Sequence, residues 1–197
     1  MTVLAVPADA LVLLIGAAGS GKSTLAARLF DPGEVLSSDA FRAAASGDAA
    51  DQSATHEAFR RLHAALDRRL VTGQLTVVDA TNVQGWARKR LLSAATRHRR
   101  PVLGIVLALS LDITLDRNAR RTDGRVPPGV VRRHHADLRR SLASLPGEGF
   151  VQLLVLEDPI AISELQVERT PGTKKPGRVS GPADGHSYVP KERHPTL

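Results

Sequence analysis

The chain contains no cysteine, which excludes disulfides, thiolate metal sites and cysteine nucleophiles. Aromatic residues make up only 3% of its 197 residues, so the core must be built from aliphatic side chains. No uninterrupted apolar run approaches the roughly 18 residues that a membrane-spanning helix needs. The N-terminus lacks the basic leading region of a signal peptide and carries Asp9. We therefore expect a cytoplasmic protein with no membrane association.

Lysine is also scarce, with 5 lysines against 22 arginines, and before residue 170 the lysines are Lys22 and Lys89. Lys22 lies in the segment Gly16–Ser23, which fits the pattern G-x-x-x-x-G-K-[ST] and follows the apolar run Leu11–Ile15. A compact ammonium fits where a planar guanidinium does not, which explains a lysine at this position in an arginine-rich chain. The pattern predicts a phosphate-binding loop between a strand and a helix.

Glycines in such a loop allow the backbone N–H groups to converge on phosphate oxygens, and the following helix adds its positive dipole end. Lys22 is then placed to bind the β- and γ-phosphates of ATP, and the Ser23 hydroxyl to bind Mg²⁺. The residues predicted to bind the nucleotide through this loop are Gly16, Gly19, Ser20, Gly21, Lys22, Ser23 and Thr24.

The net charge of +7 is unevenly distributed along the chain. Residues 169–197 carry six basic and two acidic residues, and residues 1–168 carry 21 basic and 18 acidic residues. Proline, glycine and charged residues dominate the C-terminal segment without an apolar period, which is typical of disorder. We predict one domain over residues 1–168 and a disordered basic tail over 169–197. The overall charge is therefore only a weak indication of a nucleic-acid partner.

Short apolar runs alternate with helical patterns, which predicts an α/β fold: a P-loop kinase-like parallel sheet with helices on both faces. Strands are predicted over Val3–Val6 at an edge, Leu11–Ile15 at the centre, Glu34–Ser37, Leu75–Val78, Val102–Leu109 and Val151–Leu156. Helices are predicted over Gly21–Phe30, Thr55–Val71, Val83–Arg99 with Asn82 as its cap, Leu111–Ala119 and Val130–Leu145. A short helix and loop are expected over Arg42–Ser53, and a mobile lid over Arg120–Gly129.

Two acidic residues follow predicted strands at the sheet edge where ligands of such folds bind. Asp39 follows the predicted strand Glu34–Ser37 and is predicted to accept the proton of an attacking hydroxyl. Asp79 follows the predicted strand Leu75–Val78 and is predicted to bind or orient Mg²⁺. Arg42 lies three residues after Asp39, so a helix there would place both side chains on one face. A base beside a fixed cation suits an acceptor whose hydroxyl lies near a phosphate.

Four arginines lie in or near the predicted lid: Arg117, Arg120, Arg121 and Arg125. Arginines that close over a transferring phosphoryl group stabilise its charge, so one or two of the four are expected to act in the reaction. The pairs His56-Glu57 and His134-His135 lack the spacing of a metal motif and are predicted to be structural or surface residues.

Several of these segments together resemble the kinase domain of bacterial polynucleotide kinase-phosphatase, an RNA repair enzyme. The resemblance spans nearly all of residues 1–157, and its most specific parts are Ser37-Ser38-Asp39 with Arg42 and the run Val77–Val83. The other matching segments are Leu11–Leu25, Asp51-Gln52, Arg117-Asn118 and Glu148-Gly149-Phe150. One departure lies in the lid, where Gly124 follows Asp123 and the arginine comes one place later as Arg125.

The resemblance implies an ATP- and Mg²⁺-dependent kinase that phosphorylates the 5′-hydroxyl ends of RNA or DNA, with a homodimer as its assembly. It implies that Asp39 is the general base, that Arg42 holds the phosphate next to the terminal nucleoside, and that Arg117 and Arg121 contact ATP. Arg121 and Arg125 are the lid arginines assigned to catalysis. Two alternatives stay open: a small-molecule kinase on the same scaffold, and an ATP-gated binding module without turnover.

Overall fold

The computed structural model describes residues 2–46, 52–122 and 124–173. Five parallel strands form the main sheet, in the order β3, β4, β2, β5, β6. The strands of the chain are β1 (Val3–Pro7), β2 (Leu11–Gly16), β3 (Val35–Ser37), β4 (Thr76–Asp79), β5 (Val102–Leu107), β6 (Gln152–Leu156) and β7 (Gln166–Thr170). All residues of β2 and β5 are buried, because helices cover both faces of the sheet.

The helices are α1 (Lys22–Leu29), α2 (Ser38–Ser46), α3 (Gln52–Thr72), α4 (Gly85–Arg97), α5 (Leu111–Ala119), α6 (Pro128–Ser141) and α7 (Pro159–Glu164). The α/β class and the parallel sheet with helices on both faces are as predicted. Helix α2 begins at Ser38 and so includes Asp39, earlier than the short helix expected from Arg42. Residues 47–51, the rest of that expected helix and loop, lie outside the described residues except for Gln52 and Ser53 in α3.

Alternate residues of the central strands enter two separate apolar clusters, one on each face of the sheet. Leu11, Leu13 and Ile15 pack with side chains of α2, α3, α4 and α6, and we call this side the α4 face. Val12 and Leu14 pack with side chains of α1, α5 and α7, and we call this side the α1 face. The phosphate-binding loop after β2 therefore lies where the two faces meet.

The prediction that Val3–Val6 forms an edge strand is wrong for the main sheet. β1 pairs in parallel with β7 in a separate two-stranded sheet, with Val3 opposite Gln166. Neither β7 nor α7 was predicted, because the 159–170 segment has only weak apolar periodicity. Leu165 and Val167 are nevertheless its inward-facing side chains, and they join the cluster on the α1 face.

The predicted boundary between domain and tail at residue 168 is also too early. β7 continues to Thr170, and Thr173 donates its backbone N–H to Asp9 Oδ1 over 2.9 Å. Arg100 Nη1 donates to the other oxygen of the same buried carboxylate at 2.9 Å. The folded part thus extends at least to Thr173, and residues 174–197 of the predicted tail lie outside the described residues.

Candidate functional site

The loop between β2 and α1 ends at Gly21, which caps α1 in a left-handed conformation with φ of 96°. The first turn of α1, all of it within the described residues, has no acidic side chain and no side-chain cap. The first N–H groups of a helix have no acceptor within the helix itself. Together with the helix dipole, these open N–H groups make the start of α1 suited to an anion.

The loop packs closely against α5 at Gly19, whose φ is 83°. A Cβ at this position would lie 2.2 Å from the carbonyl oxygen of Thr114, so only glycine fits. The Ser20 side chain is fully buried, and among the described residues its hydroxyl has no hydrogen-bond partner. That hydroxyl lies against Gly16, inside the loop, so any contact of Ser20 with a nucleotide would come from its backbone.

Lys22 is buried, and its ammonium donates to the carbonyl oxygens of Gly16 at 3.0 Å and Ala17 at 2.9 Å. Burial lowers the pKa of Lys22 to about 8; the carboxylate of Asp79 opposes that shift, and the charge of Arg121 adds to it. An ammonium has three N–H donors, and a triphosphate would offer Lys22 a stronger acceptor than the carbonyls.

Asp79 is buried at the carboxyl end of β4, where the register places it opposite Leu14 and Ser37. Ser23 is exposed in the first turn of α1. A hydroxyl and a carboxylate on either side of a phosphate site are oxygen ligands of the kind that Mg²⁺ binds together with phosphate oxygens. Among residues 2–46, 52–122 and 124–173, no group of three acidic or histidine side chains could hold a metal by itself.

Asn82 does not cap α4, contrary to the prediction, because Gln84 precedes the first turn and α4 begins at Gly85. The Asn82 side chain instead donates to the carbonyl oxygen of Leu14 at 2.8 Å. The backbone of Thr81 accepts a hydrogen bond from Gly16 N at 2.9 Å. These two bonds hold the segment after Asp79 against the phosphate-binding loop.

Asp39 and Arg42 form an ion pair on α2, as their spacing of three predicted. The carboxylate of Asp39 is about half exposed, and the Arg42 side chain is more buried. Burial lowers the pKa of Arg42. The pair thus lies on a helix that packs on the α4 face through Phe41, whereas α1 packs on the other face of the sheet.

The predicted lid arginines occupy different positions. Arg117 Nη1 reaches the carbonyl oxygen of Ser20 at 3.5 Å, and Arg121 acts on the pKa of Lys22 through its charge. Arg120 pairs with Asp116 in solvent, and Arg125 is exposed on the loop. The structure thus brings Arg117 and Arg121 to the phosphate-binding loop.

The loop before α6 is fixed at its base by Asn118, which is buried. Its side chain donates to the carbonyl oxygen of Val126 at 2.8 Å and accepts from Val126 N at 3.2 Å. Gly124 has φ of 63°, and a Cβ there would lie 3.1 Å from Arg121 Nη2. Gly124 thus suits the turn, whereas Asp123, which the resemblance placed in the lid, lies outside the described residues, and the mobility of the lid stays a prediction.

A family model described as "AAA domain" matches residues 11–145, which include the phosphate-binding loop, Asp39, Asp79 and the lid arginines. The chain belongs to this AAA domain family. No curated relative matches the chain. Its fold is a P-loop kinase scaffold, with a mostly parallel sheet flanked by helices.

Three solved structures are similar to this AAA domain. A candidate kinase from Chloroflexus aurantiacus has a TM-score of 0.55 at 19% identity, over 77% of this chain and 86% of that one. A chain of the Pnkp1/Rnl/Hen1 RNA repair complex has a TM-score of 0.61 at 20% identity, over 71% of this chain and 47% of that one. A gluconokinase from Sinorhizobium meliloti 1021 has a TM-score of 0.50 at 18% identity, over 79% and 87%. The likeness thus spans less than half of the RNA repair chain, and the three together show the fold.

A cleft of about 550 Å³ opens beside the start of α1 on the α1 face of the AAA domain. Its lining residues are Gly19, Gly21, Lys22, Ser23, Thr24, Leu25, Arg28, Arg117, Arg121, Pro159, Ile162 and Ser163. Helix α7 forms the far wall of the cleft, which we call the α7 wall. Arg28 holds it in place by donating to the carbonyl oxygens of Leu165 at 2.8 Å and Ile162 at 2.6 Å. Sequence reasoning missed this wall, although Asp158-Pro159 is a typical helix start and Asp158 does cap α7.

His134 was predicted to be a structural or surface residue, and its place on α6 did not enter that prediction. The ring is half-buried on α6, and its Nδ1 has no hydrogen-bond partner among the described residues. The positive charge of Lys22 is one of the causes that lower the pKa of the ring.

Across the described ranges, no helix combines the length and apolar character needed to cross a bilayer.

Proposed function

We propose that the protein phosphorylates the 5′-hydroxyl ends of RNA or DNA, with ATP as donor and Mg²⁺ as metal, in nucleic-acid repair. The observation that carries the proposal is the Asp39–Arg42 pair, a carboxylate and a cation held together just after β3, at the same edge of the sheet as the end of β2. The P-loop kinase scaffold supports phosphoryl transfer in general, and this pair supports the specific acceptor.

The donor would bind on the α1 face. Its phosphates would lie over the open N–H groups of α1, with Lys22 turning from its two carbonyl partners to the β- and γ-phosphates. Ser23 and Asp79 fit Mg²⁺, which would neutralise phosphate charge. The adenine of ATP would occupy the cleft between Arg117 and the α7 wall.

The acceptor would approach from the α4 face. The hydroxyl oxygen attacks the γ-phosphorus, the bond to the β–γ bridging oxygen breaks, the proton passes to Asp39, and ADP leaves. Arg42 would hold the phosphodiester next to the terminal nucleoside. Because Arg42 is paired with Asp39 in the structure, an acceptor phosphate would draw the guanidinium away and leave the carboxylate free to accept the proton.

The lid arginines Arg121 and Arg125 would close over the transferring group. Arg121 already lies near enough to Lys22 to affect its pKa, so its role needs little movement. Arg125 is exposed, so its role requires the loop to fold inward. A homodimer stays a prediction of the resemblance.

The competing function is that of a sugar or other small-molecule kinase, and the likeness to a gluconokinase supports it. The two functions differ in what Arg42 contacts, because a neutral metabolite has no phosphate for it. The deciding comparison uses a nucleoside, the same nucleoside 3′-phosphate and a short 5′-OH oligonucleotide as acceptors of labelled phosphate from ATP. We expect the two phosphate-bearing acceptors to react far better; equal use of the bare nucleoside or a preference for gluconate would overturn the proposal.

Asp39→Asn tests the base directly. We expect kcat to fall by about 10²- to 10⁴-fold, the usual contribution of a general base, while the KM for ATP stays within about twofold. Glu168→Gln, an exposed carboxylate on β7, is the matched control and should leave both constants unchanged. Near-normal turnover of Asp39→Asn would remove Asp39 from the mechanism.

A further inference from the structure

His134 lies on the stripe of α6 that packs beside the segment after β4. Residues spaced by three, four and seven share one helix face, so His134, Leu138 and Ser141 align. Leu138 is buried on the α4 face, and Ser141 Oγ donates to the carbonyl oxygen of Val83 at 3.2 Å. This stripe therefore faces the β4–α4 connection along its length.

The end of α6 that carries His134 points toward the phosphate-binding loop. Val126, two residues before the start of α6, is held by Asn118 of α5, and the same Asn118 packs beside Gly19. Gln84 contacts Asp137 at 3.4 Å, one turn further from the loop. Asp137 comes three residues, about 4.5 Å along the helix axis, after His134, so His134 lies nearer to the phosphate-binding loop than the level of Gln84.

The ring carries a polar atom without a partner. Nδ1 is shielded from solvent and has no hydrogen-bond partner in the described part of the chain, although a buried nitrogen of this kind costs about 1–3 kcal/mol. An unsatisfied buried group in a native structure calls for an explanation, and a functional role is one such explanation. Burial, followed by the charges of Lys22 and Arg133, lowers the pKa of His134, and Asp137 acts in the opposite direction.

The ring is therefore neutral at physiological pH, with one N–H donor and one acceptor nitrogen. A neutral imidazole beside Lys22 adds no charge for a phosphate, but it can both donate to and accept from the polar groups of a nucleoside. Helix α6, which carries His134, packs on the α4 face through Leu138, and α2, which carries Asp39, packs there through Phe41; this is the side from which the proposed acceptor approaches.

We propose that His134 contacts the acceptor, by a hydrogen bond between its ring and the terminal nucleoside next to the attacked phosphorus. The inference rests on the proposed function, since it takes the 5′-OH oligonucleotide as acceptor. It assigns to α6 a second point of acceptor binding, across the α4 face from Arg42.

Steady-state kinetics separate this contact from a structural role. For His134→Ala we expect the KM for the oligonucleotide to rise about tenfold, as for one lost hydrogen bond, with the KM for ATP within twofold. His135→Ala is the matched control, because the neighbouring ring is also half-buried but does not share the helix stripe of His134, Leu138 and Ser141. Equal behaviour of the two variants, or a rise in the ATP KM alone, overturns the proposal.

Two more variants test the hydrogen bond itself. His134→Gln keeps a donor and an acceptor and should recover part of the oligonucleotide KM. His134→Phe keeps a flat ring without polar atoms and should behave like alanine. If phenylalanine recovers binding and glutamine does not, the contact is stacking and the hydrogen bond is refuted.

A measurement without turnover distinguishes failure of this inference from failure of the proposed function. The NMR signals of the His134 ring are followed while a non-hydrolysable ATP analogue and then a 5′-OH dinucleotide are added to the full chain. We expect the larger shift at the second addition. Such a shift without phosphate transfer by the wild type would retain the contact and reject the activity; no shift at the second addition rejects the contact.

Discussion

Two arginines on each face of the sheet differ in the partners that satisfy them. On the α1 face, Arg28 and Arg117 donate to carbonyl oxygens, which carry no net charge. On the α4 face, Arg42 and Arg88 pair with the carboxylates of Asp39 and Glu148. Arg28 and Arg117 therefore keep their positive charge beside the cleft, whereas the charges of Arg42 and Arg88 are balanced by carboxylates.

This difference matches what each side is proposed to bind. A nucleoside triphosphate carries several negative charges, so the charges that Arg28 and Arg117 keep beside the cleft favour it. An acceptor end brings one hydroxyl and one nearby phosphate, for which a single exchangeable ion pair is sufficient. Among these four arginines, the placement of carboxylates distinguishes the two sides.

Removal of the buried ion pair beneath the α4 face should have the largest effect on stability. Arg88 is fully buried and donates to both oxygens of Glu148, at 2.6 and 2.5 Å, and to the carbonyl oxygen of Asn82 at 2.8 Å. Arg88→Ala leaves a carboxylate and a carbonyl without their partner, so we expect a loss of about 3–5 kcal/mol in the free energy of unfolding.

Denaturant unfolding measures this loss, with Lys89→Ala as the exposed neighbouring control that should change stability by less than about 0.5 kcal/mol. The double variant Arg88→Met with Glu148→Leu should recover part of the loss, because no charge is then left unpaired. If Arg88→Ala is as stable as the wild type, the stability of the α4 face does not depend on this ion pair.

The carbonyl-bonded arginine of the α1 face should give a smaller and different effect. Arg28→Ala removes both hydrogen bonds to the α7 wall, and we expect a loss of about 1–2 kcal/mol, reduced by solvent exposure. Because the wall borders the cleft, the KM for ATP should rise about five- to tenfold with little change in the KM for the acceptor.

Arg68→Ala, an exposed arginine on α3, controls for loss of charge far from the cleft. Isothermal calorimetry with an ATP analogue supplies the binding constant directly. If Arg28→Ala binds the analogue as the wild type does, the α7 wall is not part of the nucleotide site.

The parts that sequence predicted are those in which neighbouring residues determine the geometry. The loop around Lys22 follows from glycines within one short segment, and the Asp39–Arg42 pair follows from helical spacing. The positions of Asp39 just after β3 and of Asp79 at the end of β4 follow from apolar runs and from the parallel order of the sheet.

The parts that sequence missed depend on partners far apart in the chain. Arg28 bonds to residues more than 130 positions away, and β1 finds its partner in β7 at the opposite end of the domain. His134 gains its position from the packing of α6 against the β4–α4 connection, which no local pattern encodes. Asn82 was predicted to cap α4 from its residue type, but its side chain donates a hydrogen bond to the carbonyl oxygen of Leu14 in β2.

Lys22, where the two faces meet, should give the smallest effect, one that depends on pH. Its pKa is about 8 in the folded protein against about 10.4 in an unfolded chain, so the unfolded state binds more protons between these values. Stability contributed by this group therefore rises with pH across that window. We expect the wild type to gain on the order of 1 kcal/mol relative to Lys22→Met between pH 7 and 9.

Thermal unfolding of the wild type and of Lys22→Met at matched pH values measures the gain, since the other titrating groups cancel in the difference. Bound ATP analogue should abolish it, because phosphate charge stabilises the ammonium and raises its pKa. A difference that is constant from pH 7 to 9 without nucleotide would mean that Lys22 keeps an ordinary pKa. The carboxylate of Asp79 would then offset the whole effect of burial on the ammonium.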